Sequence, residues 1–526
     1  MHCFDLIYWH LENLKKMNDS YQKIFKLTLF IILVSVALIR FPIDDGLRHV
    51  GLAFGNFTSW GDVYPFSIFE ELKDYDPWFG YDFTLGLIAD LLKHFPLSLL
   101  TLKFVLTKII CLLFSLTFFY LVLERSGILN KIKDRDSFVL VLIILVAFLI
   151  FTFGRVIIAR PFAFGTFFIL YSVNRQGFIR GVVSSGMLTF FYSYLSWFYI
   201  VPVAFAHFIK GNKKFAWGAV GFISIFLVLQ PPSFWGFQSE LFMSDLVRNT
   251  LETKISEFHL TLTYWMFYLY LVGGIIFFPK VSKEAKSLSY LNVLILIYLL
   301  PAIKYIRYFL DITLPLLFVN NANDIFNILI EPYRKLVFSW KTIAVSKLDR
   351  LKSQIKPKIA RIQKTNAPKK VKSEVNLKPY IVASYAILLI LAIQFNLRQI
   401  TVLREFREIL TPIPKGSQVL TSFNLQYQTL YLRPDLRVIP SCEMGFTKKS
   451  VAEEYTQYFN EGFVSPLAKK TGSKYFLEGK DHFIDPREGC YLKLSKKSGD
   501  FKLWNILTQP PNSDASYVQV NVTAHD

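Results

Sequence analysis

The chain has 526 residues, 53% of them hydrophobic, with 52 Phe and 27 Tyr and a formal net charge of +20 at pH 7. Apolar runs long enough to cross a bilayer recur through roughly the first 400 residues, which excludes an ordinary soluble multidomain protein. The Lys and Arg lie in clusters between those runs, which excludes nucleic acid as the partner and marks the clusters as cytoplasmic loops.

In chain order, residues 1–23 form a cytoplasmic segment held by Lys15, Lys16 and Lys23, with Lys26 just inside the first span. Span one is predicted over 24–41. No small-residue cleavage site follows it, so it stays as a helix. The first outer loop covers 42–96. Span two (97–123) returns to the basic loop Arg125 to Arg135. Span three (137–154) exits, and span four (161–174) returns to Arg175 and Arg180. Spans five (181–194) and six (197–209) form a tight pair that ends at Lys210. Span four is short for a full crossing, so spans four to six are read as tilted or broken helices buried by neighbours.

Span seven (215–231) exits at Gln230-Pro231-Pro232, and an outer loop covers 232–260. Spans eight (261–279), nine (287–303) and ten (308–329) follow, closing the transmembrane module at about residue 330. Between Glu331 and Lys378 stand fourteen Lys and Arg against three acids. This basic loop is expected in the cytoplasm, partly disordered or lying along the anionic inner leaflet. Span eleven (379–397) exits for the last time. Every basic cluster falls inside on this count of about eleven spans.

Residues 398–526 read as a small α/β domain placed outside. In "GSQVLTSFNLQYQTLYLRPDLRVIPS", Val419-Leu420 and Leu436 to Ile439 read as strands with a helix between them. "KKSVAEEYTQYFNEGF" reads as an amphipathic helix and "GSKYFLEG" as a further strand. Of the four cysteines, Cys3, Cys111, Cys442 and Cys490, the last two can pair or stay as two buried thiols. No internal repeat is visible.

Ionisable groups gather at the outer membrane edge. "FPIDDGLRHVG" puts Asp44 and Asp45 straight after span one. As a helix, the segment sets Arg48 one turn from Asp44 and His49 one turn from Asp45. The two aspartates either cap that helix or serve as a base for a hydroxyl acceptor. Further along the loop come Trp60, Asp62, Tyr64, Glu70, Glu71 and Asp76. Their aromatic members also fit plain interfacial anchoring, and their acids also fit solvated loop charges. Arg155 and Arg160 flank the exit of span three, and Lys304 and Arg307 that of span nine. Such cations suit a bound phosphate or an ion pair with an acid such as Asp311.

These features together resemble the GT-C superfamily of membrane glycosyltransferases, which use polyprenyl- or dolichyl-phosphate-linked sugars. In that group an acidic pair follows the first helix, as Asp44-Asp45 does here. The segment Asp45, Arg48, Trp60, Asp62, Tyr64 and Pro65 is similar to the first loop of oligosaccharyltransferase catalytic subunits, and "DYDPWFGY" is similar to a second motif of those enzymes. The motif likeness covers 42–65, and the likeness in topology covers the whole chain.

The resemblance implies a multi-pass protein of the bacterial inner membrane with an extracytoplasmic C-terminal domain. It implies a polyprenyl-phosphate sugar donor and a hydroxyl acceptor on a glycan, lipid or protein. Asp44 or Asp45 is the expected base. Arg48, His49, Trp60, Asp62, Tyr64, Asp76, Arg155, Arg160, Lys304 and Arg307 are the expected substrate contacts. No metal is required, although paired carboxylates can hold a divalent cation. The alternatives are a lipid-sugar flippase or polysaccharide-handling transport protein, whose charges belong in mid-span, and a non-catalytic scaffold with an outer binding domain.

Overall fold

A computed structural model describes residues 20–41, 46–55, 59–70, 75–157, 159–243, 290–304, 306–359, 378–439, 447–461, 464–479 and 491–507. The catalytic candidates Asp44 and Asp45, the expected span eight, and Cys3, Cys442 and Cys490 lie outside the described residues.

The first half is helical: α1 (Ser20–Ile39), α2 (Gly46–Ala53), α3 (Phe79–Lys93), α4 (Leu99–Ser126), α5 (Arg135–Val156), α6 (Ala163–Ser172), α7 (Phe178–Phe191), α8 (Ser196–Ile209), α9 (Lys213–Val228) and α10 (Pro232–Met243). Then come α11 (Tyr290–Lys304), α12 (Leu314–Ile359) and α13 (Lys378–Leu410). Segments Tyr21–Ile39, Leu99–Ser126 and Arg135–Val156 are long and apolar enough to cross a membrane, which makes this a membrane protein. Helices α6, α7, α8 and most of α11 are apolar but shorter.

Local signals fix the ends of the long helices. Ser98 accepts the Thr101 N–H ahead of α4, and Gly127, at φ 64°, turns the chain out of it. A reciprocal cap between Asp134 and Ser137 opens α5. Helices α7 and α9 touch through glycines. A Cβ on Gly181 would sit 2.3 Å from the Phe215 carbonyl oxygen, and one on Gly218 would sit 2.2 Å from that of Phe178. Small residues permit such close backbone approach between membrane helices.

The first part of the basic loop is helical. Helix α12 continues unbroken to Ile359, well into the stretch read as disordered or leaflet-bound. Its Leu, Lys, Arg and Gln are good helix formers, and from Leu336 the first Pro comes only at Pro357. Residues 360–376 of that loop lie outside the described residues. The outer loop expected over 232–260 begins with α10.

The chain then forms β1 (Gln418–Thr421), α14 (Phe423–Leu432), β2 (Arg437–Ile439), α15 (Ala452–Glu461), α16 (Val464–Thr471), β3 (Tyr475–Glu478), β4 (Tyr491–Ser498) and β5 (Phe501–Leu507). The sheet order is β2-β1-β3-β5-β4, with β1 parallel to both neighbours and β5 antiparallel to β3 and β4. Alternate residues face opposite ways. Val419, Val438, Leu477 and Leu503 join the main core with α14, while Leu420, Ile439, Phe476 and Trp504 form a second core with α15 and α16.

Polar ties join this domain to the helices. Lys103 Nζ on α4 donates to the Tyr431 carbonyl at 2.5 Å. Lys108 Nζ donates to the carbonyls of Leu38 (2.9 Å) and Arg40 (2.5 Å) at the end of α1. Gln399 Nε2 on α13 donates to the Ile39 carbonyl at 3.0 Å. The open carbonyls that end any helix are here capped by side chains from α4 and α13. Arg433 likewise donates to the carbonyls of Leu410 (2.8 Å) and Ile413 (3.1 Å) and pairs with Asp435.

Candidate functional site

The first loop packs as a core. Helix α2 forms where its sequence suggested, and it buries Arg48 and His49 completely. The Arg48 guanidinium carbon lies 4.5 Å from the Trp78 ring centroid and 5.0 Å from that of Trp60. Tyr64 and Tyr427 stand farther off, each at 6.0 Å. Trp60, Tyr64 and Trp78 are themselves buried, so they enclose a cation instead of anchoring in a bilayer interface.

His49 Nδ1 stands 2.5 Å from Asp82 Oδ1, and its Nε2 accepts from Arg48 Nε at 3.4 Å. Since a guanidinium can only donate, this network assigns the proton to Nδ1. The ring edge packs against Trp60, Trp78 and Tyr81 at 5.3, 5.3 and 5.0 Å. Asp76 Oδ1 accepts from Trp60 Nε1 (2.9 Å) and from the Trp78 N–H (2.8 Å). Burial, then the charge of Asp82, pushes the Asp76 carboxyl up to about 7; the two N–H bonds and His49 pull the other way. Asp62 does not join this group. It is exposed on the short helix Trp60–Val63, where it accepts from Ser59 Oγ at 2.9 Å.

The arginines form a second group. Arg155 grips Asp311 with two bonds of 2.8 Å, from Nε and Nη2. Arg307 Nε comes to 4.0 Å of the same carboxylate, with its guanidinium 4.3 Å from the Phe162 ring centroid. Arg155, Arg160 and Asp311 line one cavity with Phe118, Phe162 and Thr166. Asp311 lies in a π-helical turn, Phe309–Thr313, whose loosened backbone leaves the Asp311 carbonyl to accept from Thr166 Oγ1 at 2.7 Å. The ion pair weighed against phosphate binding is therefore present for Arg155. Lys304 is the last residue of α11.

Tyr81 connects the two groups. Its ring contacts His49, and its hydroxyl donates to the Ala159 carbonyl at 2.8 Å, one residue before Arg160. Ala159 has φ 55°, a left-handed value that costs a non-glycine residue about 1 kcal/mol or more. The chain therefore turns sharply at the point where Arg160 is presented.

The C-terminal domain closes over the first loop. Thr447 bridges Ser67, the Lys448 N–H donates to the Phe66 carbonyl at 2.9 Å, and Lys448 pairs with Glu70 at 2.9 Å. Helices α2 and α14 run in step: Arg48 lies against Tyr427, Gly51 against Leu430 and Gly55 against Pro434.

Asp82, Tyr81, Trp78 and Tyr427 belong to the site yet were not among the sequence candidates. The signal was the "DYDPWFGY" stretch with Asp82 straight after it, which puts Trp78 at the N-cap of α3 and Asp82 one turn on. Tyr427 had none. Among the described residues no group of three or more His, Cys, Asp or Glu is placed to hold a metal ion. The arrangement offers a carboxyl that titrates near neutrality and guanidinium groups suited to gripping an anion. No protein-family model matches the chain, and no curated protein matches it.

Proposed function

We propose that this protein is an inverting glycosyltransferase of the GT-C type, with about eleven spans and its C-terminal domain outside the membrane. It moves a sugar from a polyprenyl-phosphate donor to an acceptor hydroxyl. One observation carries the reading: Tyr81 packs on His49 and donates to the Ala159 carbonyl, one residue before Arg160, which ties the first-loop core to the arginine group.

In this scheme the donor phosphate lies against Arg155, Arg160 and Arg307, with Lys304 near the same exit. Asp44 or Asp45 takes the proton of the acceptor hydroxyl. The acceptor oxygen then forms a bond to the anomeric carbon as the bond from that carbon to the phosphate oxygen breaks. The departing polyprenyl phosphate keeps the electron pair, and the guanidinium groups stabilise its growing charge. Arg48, His49 and Asp76, boxed by Trp60 and Tyr64, hold the loop that carries the base.

The test is a glycan profile of cells lacking the protein, complemented by wild type, Asp44→Asn or Asp45→Asn. At least one variant should lose ~100-fold or more of transfer, the scale for removing a general base, while expression and donor binding persist. Near-wild-type glycans from both variants would overturn the assignment. Lost movement of the lipid-linked sugar with transfer intact would favour the transport reading, which the Arg155–Asp311 pair among the helices also suits.

A further inference from the structure

Strands β2, β1 and β3 are parallel, and β1 lies between the other two. The chain leaves β1 through α14, on one face, to reach β2. It returns through α15 and α16, on the other face, to reach β3. The winding therefore reverses between β1 and β3. In open sheets of this kind, the crevice beyond the carboxyl ends of the strands at the reversal is where ligands bind.

The residues at that edge are unusual. Gln426, in the second turn of α14, is 0% exposed, and neither its Oε1 nor its Nε2 has a hydrogen-bond partner. Thr421, the last residue of β1, is also 0% exposed, and its Oγ1 has none. Ser422 stands at the N-cap of α14, and its side chain makes no capping bond. The end of β3 closes on the same turn: a Cβ on Gly479 would lie 3.2 Å from Leu425 Cδ1. Buried amides without partners are rare in folded proteins because both atoms forfeit their bonds to water. Neighbouring buried polar groups among the described residues do find partners. Tyr458 donates to the Thr421 carbonyl at 2.9 Å, and Trp504 donates to Glu478 at 2.7 Å.

We infer that the β1–α14 edge of the C-terminal domain is a saccharide-binding site, in which Gln426 and Thr421 hydrogen-bond the hydroxyl groups of a sugar ring. The chemistry selects this class. An amide presents one donor group and one acceptor, and a threonine hydroxyl both gives and accepts, as sugar hydroxyls do. Lys502 on β5 is already paired with Glu478, the last residue of β3, at 3.3 Å. Gln426 neighbours Tyr427, which lies against Arg48, but the inference rests on the unsatisfied groups of the sheet edge and not on the transferase reading.

Binding is tested without turnover on the full chain in a zwitterionic detergent. Hydrogen exchange over residues 418–432 is followed with a panel of neutral mono- and oligosaccharides, and separately with inorganic phosphate. At least one saccharide should slow exchange at the start of α14. Gln426→Leu should bind it about tenfold more weakly or worse, the scale of one lost neutral hydrogen bond or more. The same variant should melt no lower than wild type, because it removes an unsatisfied buried amide. Thr421→Val should weaken binding in the same direction.

Competition by a polyprenyl-phosphate sugar assigns the site to the donor. Protection by free saccharide without such competition assigns it to an acceptor or product glycan. No protection by any saccharide, protection by phosphate alone, or undiminished protection in Gln426→Leu overturns the site. A lower Tm in Gln426→Leu also overturns it, since the amide would then be serving the fold. A chain that binds saccharide but transfers none refutes the transferase and leaves this site standing.

Discussion

Gly51→Ala tests whether α14 truly seats on α2. A Cβ at this position would lie 2.3 Å from the Leu430 carbonyl oxygen and 2.5 Å from the Tyr431 Cα. Non-bonded carbon atoms prefer roughly 3.5–4.0 Å, so the helices must part by about 1 Å. Both obstacles are backbone atoms, and no rotamer change relieves them. Overpacking of this kind costs about 1–3 kcal/mol, and a rigid contact belongs at the upper end. Alanine returns up to about 1 kcal/mol of helix propensity. The net expectation is a loss of about 2 kcal/mol, read as a lower Tm of the purified chain and faster hydrogen exchange in 423–432. Gly86→Ala on α3, which meets nothing within 4 Å, is the control and should lose nothing. If Gly51→Ala is as stable as that control and α14 stays protected, the seating argument fails.

Two further outcomes follow from the charges. Asp311→Asn breaks the largely buried pair with Arg155 and should cost about 3–5 kcal/mol, whereas Arg155→Met with Asp311→Leu together should cost clearly less; thermal unfolding of the three proteins decides, and an equal or larger loss in the double variant refutes it. The Asp76 carboxyl is raised to about 7 in the fold, so its stabilising effect is full below the ordinary carboxylate value of about 4 and fades as pH rises through about 7. Asp76→Asn should remove that decline, and parallel Tm-against-pH curves for variant and wild type would count against the shift.

The parts that could be read from the sequence are those governed by neighbours in the chain. Apolar runs marked α1, α4 and α5, and "DGLRHVGLAFG" marked α2. Val419-Leu420, Leu436 to Ile439 and "GSKYFLEG" marked three strands. Strands β4 and β5 went unread. "YLKLSKKS" carries three lysines on a sheet edge, a composition that guards edges from pairing and reads as loop. At the site, sequence picked out Arg48, His49 and Asp76 as polar residues near a membrane edge. It could not show that they share one aromatic box with Asp82, because those contacts span tens of residues. Arg155 and Asp311 lie farther apart still, and only a helix packing that no local pattern encodes brings them together. The left-handed Ala159 and the π turn at Asp311 are backbone departures that carry no side-chain signature.

The caps on α1 bear on how the molecule is made. Its final carbonyls at Leu38, Ile39 and Arg40 are met by Lys108 and Gln399. A ribosome releases Lys108 soon after that helix but Gln399 only some three hundred and sixty residues later. The end of the first helix thus waits, partly unsealed, until α13 has been made. Asp44 follows Arg40 by four residues in the sequence. A chain cut short before Gln399 leaves the Ile39 carbonyl without that cap, so the closing of the first helix depends on a segment made far later.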